Sequence, residues 1–302
     1  MAALIYQLFS STALLSQGIY HLVCATRNKL KSSPRDYVAK PFHPFPGAGG
    51  YLRHLQLYLV AIFVFIALLH QLLTASYSDP LLKGRTPVHL FTSLQSAAVL
   101  FSFLLLAVAI LLSDATSLLP LPADLVFAIA SGLFFLQFSL SSASAAVQTS
   151  DLQAKCDSLS GHVSALSSAL CLALACQPRL FVADVALGAS FCLQGLWALQ
   201  TGLSLYVDAF IPDGCHKLLD VVSGVEGSTK CDLDDTKLRA MAILDLMFVL
   251  HVLFVVLILL AVYGAVARAR GGRHGGGGSS YDALPNADSS HIQLKTMTGT
   301  QA

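Results

Sequence analysis

Charged residues are scarce in this chain: Asp, Glu, Lys and Arg make up 12% of its 302 residues, whereas hydrophobic residues make up 55%. A soluble domain carries about twice that charged fraction, so this composition nearly excludes a water-soluble globular enzyme. The 18 basic and 17 acidic residues leave a net charge of +1. Without a basic excess, the chain lacks the electrostatic attraction that drives nucleic-acid binding, and we expect no nucleic-acid partner.

Familiar catalytic and metal-binding motifs are absent from the sequence as well. It contains no GxSxG, HExxH or Walker loop, the patterns that place a nucleophile, a zinc site or a phosphate cradle. None of the seven cysteines forms a CxxC pair, so a zinc ribbon is not indicated. We therefore expect a protein that is not an enzyme and that binds neither a metal nor a cofactor.

What the chain has instead is a series of long hydrophobic runs. About 20 apolar helical residues cross a bilayer core about 30 Å thick. The segments that reach this length are 4–24, 55–75, 88–112, 123–147, 152–175, 180–207 and 238–266. We predict an all-α polytopic membrane protein in which residues 1–270 form a seven-helix transmembrane domain.

The first and fifth segments are the most polar, which favours positions inside the bundle, where polar side chains meet other helices. The first segment has two alternative interpretations. One is a secretory signal peptide, although the basic start of such a peptide is missing. The other is a buried or surface amphipathic helix.

The distribution of basic residues predicts the orientation. An odd number of spans places the termini on opposite sides, and 11 of the 18 basic residues then share a side with the C-terminus. Because cytosolic loops are enriched in Lys and Arg, we expect a cytosolic C-terminus and an external or lumenal N-terminus. The membrane is expected to be the plasma membrane or part of the endomembrane system.

The longest lumenal loop, 208–237, holds Cys215 and Cys231. An oxidising lumen favours a disulfide between them. Cys156 is a rival partner for either residue, because it lies near the lumenal end of its span.

The C-terminal segment 271–302 is rich in Gly and Ser, which predicts a disordered cytosolic tail. Within it, Tyr281 and Leu284 have the spacing of a tyrosine-based sorting signal. A sorting adaptor is therefore a possible partner of the tail.

Ionisable residues inside the membrane are functional hypotheses by default. We predict a polar intramembrane cluster of His162, His251, Asp184 and Asp245, with the two histidines near mid-membrane and facing the protein interior. Asp245 and His251 are six residues apart, about 240° around a helix, and so do not point at one metal ion. The alternative is that each histidine bonds a neighbouring serine or a backbone carbonyl, for example among Ser158, Ser160 and Ser164.

The histidines also suggest a haem protein, in which two histidines on facing helices ligate each iron. The second helix carries both His54 and His70, but sixteen residues place them about 160° apart around the helix. Two stacked haems need ligands on one face. The spacing therefore does not favour haem.

Small residues recur along the sixth segment. Gly188, Cys192, Gly195 and Gly202 follow one side of the helix at spacings of four, three and seven. Such a seam allows another helix to approach closely.

Six segments of the chain have the character of family motifs: GIYHLVCATRN at 18–28, SPRDYVAKPFHPFP at 33–46, LQSAAVLF at 94–101, ACQPRLFVADVALG at 175–188, LQGLWALQTGLSLYVDAFIPDGCHKLL at 193–219 and STKCDLDDTKLRA at 228–240. Together they resemble the plant branch of the transmembrane protein 45 family, a domain of unknown function sometimes labelled plant viral-response. The resemblance runs from about residue 1 to 270 and does not include the tail. It implies a seven-helix multi-pass membrane protein with no settled reaction, ligand or cofactor.

Three functional hypotheses follow. The first, which depends on the resemblance, is a non-enzymatic integral membrane protein that acts through unknown protein partners in trafficking or in stress and defence responses. The second is a transporter or channel whose pathway is lined by His162, His251, Asp184 and Asp245. The third is a b-type haem transmembrane electron carrier.

Overall fold

The computed structural model describes residues 2–32, 36–45, 50–76, 88–116, 119–148, 150–219 and 226–274. This part of the chain is all-α apart from one small hairpin. The helices are α1 (Ala2–Lys31), α2 (Leu55–Ser76), α3 (Val88–Ala115), α4 (Ala123–Val147), α5 (Asp151–Cys176), α6 (Phe181–Tyr206) and α7 (Asp234–His274), and the strands are β1 (Cys215–Leu219) and β2 (Glu226–Cys231). Tyr281 and Leu284, the predicted sorting signal, lie outside the described residues.

The first six helices form a closed ring. Each helix from α1 to α5 contacts the next one along the chain, and α6 returns to contact α1. The pairs α4–α5 and α1–α6 pack most extensively, whereas α1–α2 and α3–α4 share fewer contacts. The last helix, α7, packs on α1, α5 and α6, so it covers one side of the ring.

Six of the described helices, α2 to α7, are long and apolar enough to cross a membrane by length and composition. Their outer faces carry large exposed apolar side chains, such as Phe135 on α4 and Leu257 on α7. A soluble protein rarely exposes contiguous apolar surface on this scale, whereas lipid covers it in a membrane. The predicted seventh span, α1, is not among the six, because polar residues interrupt its apolar sequence.

The small-residue seam of α6 is confirmed, and α1 is the helix that packs against it. A Cβ added at Gly195 would lie 2.8 Å from the backbone nitrogen of Leu15. On the opposing helix, a Cβ added at Gly18 would lie 2.6 Å from the Sγ of Cys192. The two backbones therefore touch, as small residues on both helices allow.

The loop predicted at 208–237 contains an antiparallel hairpin of β1 and β2, in which Cys215 and Cys231 face each other. The predicted disulfide between these two residues is confirmed. The rival partner, Cys156, is buried as a free thiol. The hairpin is anchored to the helices through Thr229, whose hydroxyl donates to the carbonyl of Leu205 at 3.0 Å.

Candidate functional site

A cavity of about 610 Å³ lies inside the six-helix ring. All six helices of the ring contribute to its wall, and the described part of α7 contributes no residue. Along α1 the lining runs from Tyr6 to His21, sixteen residues that span about 22 Å of helix. The cavity is therefore elongated along the helix axes.

Much of the cavity wall is apolar and aromatic. Phe9 of α1 packs against Phe63 of α2 at a ring-centroid distance of 5.5 Å, and Phe134 of α4 lies 5.8 Å from Phe191 of α6. All four rings line the cavity. Such a wall suits an apolar molecule, with orientation supplied by the polar groups at the two ends.

One end of the cavity is bounded by a buried polar cluster of His21, Tyr37, His43 and Asp184. The Asp184 side chain is completely buried. Its Oδ1 accepts a hydrogen bond from Nε2 of His21 at 2.8 Å, and its Oδ2 accepts one from the hydroxyl of Tyr37. Each carboxylate oxygen thus has a donor, as a buried carboxylate requires. His21 also lines the cavity.

Tyr37 and His43 belong to the loop 36–45, which folds back into the bundle. The backbone N–H of Ala39 donates to the carbonyl of Pro178 at 2.7 Å, and that of His43 donates to Oε1 of Gln56 at 2.8 Å. Pro41 and Phe42 of the same loop line the cavity. The loop therefore closes this end of the ring.

Burial and neighbouring groups shift the pKa values of two side chains of this loop, Tyr37 and His43. Burial, followed by the neighbouring charge of Asp184, raises the pKa of Tyr37. Burial, followed by the proximity of His21, lowers the pKa of His43 to about 3. His43 is therefore neutral near pH 7, and its Nε2 has no hydrogen-bond partner among the described residues.

The other end of the cavity lies at the α4–α5 turn, where Asp157 is part of the wall. Its Oδ2 accepts hydrogen bonds from Nε2 of Gln148 at 3.1 Å and from the hydroxyl of Ser144 at 3.4 Å. On α6, Nε2 of Gln194 donates to Ser160 at 2.6 Å, while its buried Oε1 has no partner within the described ranges. The polar atoms that still lack a hydrogen-bond donor at this end are therefore acceptors.

The chain's single tryptophan lies beside this second end. Trp197 is 1% exposed and lines the cavity. Its Nε1–H donates to the carbonyl of Cys156 at 3.0 Å. The indole therefore has one fixed orientation next to Asp157, and its fluorescence can report on this part of the cavity.

The structure does not bring His162, His251, Asp184 and Asp245 together in the predicted cluster. Each of the four residues has a different partner. Nδ1 of His162 donates to the Ser158 carbonyl at 2.7 Å, and its side chain is exposed. Asp184 alone lies in the buried polar cluster.

The other two members of that predicted cluster also bond elsewhere. Nδ1 of His251 donates to the Met247 carbonyl at 2.6 Å. Asp245 is exposed and forms an ion pair with Lys155 at 2.7 Å. Both histidines thus follow the alternative prediction, a bond to a neighbouring backbone carbonyl. In each case the acceptor is the helix carbonyl four residues earlier.

Sequence reasoning identified Asp184 but missed Tyr37, His43 and Asp157 as residues of the site. Tyr37 and His43 lie in a proline-rich connector, whose sequence gives no sign that it enters the bundle. Asp157 carried a usable signal, because it lies three residues before Ser160 and seven before Ser164, on one face of α5.

Comparisons with known proteins address the second half of this bundle. No curated protein matches the chain. Residues 123–264, somewhat less than half of the chain, match the model of DUF716, a family of unknown function that is the transmembrane protein 45 family.

Proposed function

We propose that this chain is a multi-pass integral membrane protein that binds an elongated, mostly apolar small molecule inside its six-helix ring. The observation that carries the proposal is the cavity of about 610 Å³, which lies within the size range of small-molecule sites, about 300–1,000 Å³. Its wall combines aromatic side chains with polar groups at the ends. This is the usual composition of a ligand site.

The proposal includes α1 as a seventh membrane span. α1 packs closely along α6, and an apolar α6 that crosses the bilayer carries α1 with it. Gln7, Gln17 and His21 of α1 face the cavity. The exposed Thr12 and Ser16 bond to the backbone carbonyls of their own helix, so the polar side chains of α1 are tolerable at that depth. Seven spans, together with the bias of the basic residues, favour a cytosolic C-terminus, and we propose that the membrane is the plasma membrane or part of the endomembrane system. The quoted segments further suggest the plant branch of the family.

Entry from the bilayer is part of the proposal. The interface between α1 and α2 is among the less extensive interfaces of the ring. Aromatic rings dominate it: Tyr6 stacks on His70 at 4.0 Å, and Phe9 meets Phe63 edge-on at 5.5 Å. Ring contacts of this kind separate at smaller cost than interlocked backbones, so we propose that α2 and α3 move apart from α1 to admit a ligand.

The proposal retains the transporter hypothesis with a different lining. A carrier with polar groups at both ends of one cavity replaces a pathway lined by His162, His251, Asp184 and Asp245. The haem hypothesis has less support, because the two histidines named for it have other neighbours: the ring of His70 stacks on Tyr6 at 4.0 Å, and Nδ1 of His54 lies 3.2 Å from Oδ2 of Asp114. Binding of a ligand without chemical change is also compatible with a role through protein partners.

Fluorescence of Trp197 tests the proposal in the purified full-length protein. A brominated single-chain alcohol should quench the emission saturably, because the indole lies in the cavity wall. Ser164→Phe fills the cavity from α5 and should abolish saturable quenching. Leu166→Phe, on the exposed face of the same helix, is the matched control and should leave it unchanged.

Two results would overturn the proposal. One is quenching that rises linearly with the concentration of the alcohol and never saturates. The other is saturable quenching that survives Ser164→Phe in a protein whose thermal unfolding is unchanged. If Ser164→Phe does not fold, Ala130→Phe fills the same cavity from α4 and gives the same comparison.

A further inference from the structure

We infer that the preferred ligand is a cationic amphiphile, a single-chain primary amine whose ammonium group binds Asp157 and whose chain runs toward His21. This inference rests on the proposed function and specifies the ligand of the same cavity. It depends on the acceptors at the two ends, on the shape of the cavity and on the position of Trp197.

The first step is the missing counter-charge of Asp157. Both of its hydrogen-bond donors, Gln148 and Ser144, are neutral. The nearby cation Lys155 is engaged by Asp245 at 2.7 Å, and no basic side chain pairs with Asp157 anywhere in the described part of the chain. An ionised carboxylate inside a membrane bundle is costly without a cation, and such residues mark ligand or ion sites.

The second step is the neighbouring acceptor on α6. The Gln194 amide nitrogen is committed to Ser160, which leaves its buried Oε1 without a donor in the described structure. Asp157, Ser160 and Gln194 all line the cavity. An ammonium group carries three donors and no acceptor, so it can satisfy a carboxylate and an amide oxygen together. A carboxylate or phosphate head would meet like charge and supply no donor.

The third step fixes the direction of the ligand. At the opposite end, both oxygens of Asp184 already accept hydrogen bonds from His21 and Tyr37. Each carboxylate oxygen at that end has a donor, whereas both donors of Asp157 bind the same oxygen, Oδ2. The ammonium head is therefore assigned to the Asp157 end. The Trp197 ring lies in the wall one turn from Gln194, and an indole face near an ammonium group adds a cation–π attraction.

The fourth step concerns the chain. The lining extends over about 22 Å along α1, between the two polar ends. A single extended hydrocarbon chain fits this length. Its contacts would be the aromatic side chains of the wall, including Phe134 and Phe191.

The experiment compares three probes that differ only in the head: hexadecylamine, hexadecanol and palmitic acid. Each displaces the brominated alcohol from the full-length protein in a neutral detergent, with Trp197 fluorescence as the readout. Because a hydrogen bond to a charged group is worth about 1.5–3 kcal/mol, hexadecylamine should bind at least about tenfold more tightly than hexadecanol. Palmitic acid should bind most weakly.

Asp157→Asn removes the charge and keeps the side-chain shape. The affinity of this variant for hexadecylamine should therefore fall to its affinity for hexadecanol. Asp124→Asn is the matched control, since Asp124 is an exposed acid on α4 that does not line the cavity. It should leave the amine preference unchanged. Comparing variants at one detergent concentration also removes the contribution of micelle partitioning.

The outcomes separate the two proposals. If none of the three probes binds, the proposed function fails. If all three bind the unsubstituted protein equally, the cavity is a ligand site and the inference about the amine is wrong. A preference for the amine that persists in Asp157→Asn refutes the assignment to Asp157. If that variant does not fold, Gln194→Leu should reduce the amine preference, and an unchanged preference would refute the inference.

Discussion

Replacing Asp184 by alanine should be among the most destabilising single changes in the bundle. The carboxylate is completely buried and accepts hydrogen bonds from His21 and Tyr37. The substitution leaves the Tyr37 hydroxyl buried without an acceptor, and it leaves Nε2 of His21 only the backbone carbonyl of residue 184, which that nitrogen contacts at 3.2 Å. An unsatisfied buried donor costs about 1–3 kcal/mol, and the weaker bond of His21 adds to this cost. We therefore expect the free energy of unfolding to fall by about 2–4 kcal/mol.

A double-mutant cycle with Tyr37→Phe separates the energy of the Tyr37–Asp184 hydrogen bond from a general loss of packing. In the unsubstituted protein Tyr37→Phe leaves one oxygen of Asp184 without a donor, at a cost of about 1–3 kcal/mol. In the Asp184→Ala background the hydroxyl has no acceptor left to lose, so the same change should be nearly neutral. We expect a coupling energy of at least about 1 kcal/mol.

The assay is denaturant unfolding in detergent, followed by Trp197 fluorescence. Limited chymotrypsin digestion after residue 37 should report release of the loop 36–45 in the same variants, because Tyr37 is buried in the folded loop and Tyr37→Phe keeps an aromatic residue there. Asp245→Ala is the control, since its ion pair with Lys155 is exposed and worth about 1 kcal/mol or less. A loss below about 1 kcal/mol for Asp184→Ala, additive with Tyr37→Phe, would refute the reasoning.

Two further predictions concern helix packing and pH. Gly195→Ala should cost about 1–3 kcal/mol, because the new methyl group would lie 2.8 Å from the backbone nitrogen of Leu15. Gly132→Ala is its control: nothing lies within 4 Å of an added Cβ there, so thermal unfolding should be unchanged or shift upward by an amount worth about 1 kcal/mol. Equal shifts of the melting temperature in Gly195→Ala and Gly132→Ala would contradict the close contact of α1 and α6. Burial holds the pKa of His43 at about 3, so below its ordinary value of 6.5 the unfolded chain binds a proton that the folded protein does not. The free energy of unfolding should therefore fall as the pH drops from 6.5 toward 3, by up to about 1.4 kcal/mol per pH unit, and His43→Gln should remove this slope. A variant with the same pH profile as the unsubstituted protein would show that His43 does not contribute.

The central helices could be located from the sequence because apolar runs end where the membrane ends. The predicted segments 123–147 and 180–207 agree closely with α4, Ala123–Val147, and α6, Phe181–Tyr206. The last helix was underestimated at 238–266, since α7 extends from Asp234 to His274. Hydropathy marks the part of a helix that lies in lipid, and a helix continues through polar residues on either side of it.

The site was less predictable, because counting along a helix gives depth but not rotation about the helix axis. His162 and His251 were placed at a shared depth, yet one is exposed and both bond to their own backbones. The partners of Asp184 needed a different kind of information. Tyr37 reaches Asp184 only because the loop 36–45 turns back into the bundle, and hydrophobic periodicity carries no signal for such a return.

The polarity of α1 connects the fold to the proposed site. Composition alone removes α1 from the helices that are apolar enough to span a membrane. Its polar residues are nevertheless not scattered: Gln7, Ser10, Gln17 and His21 are spaced by three, seven and four, which places them on one face, and all four line the cavity. Other positions of α1 accommodate the close approach of α6. Several of the residues that weaken α1 as a lipid-facing span thus supply the cavity with hydrogen-bonding groups. A helix with such a polar face is therefore a reason to look for a cavity inside a membrane bundle, not evidence against a span.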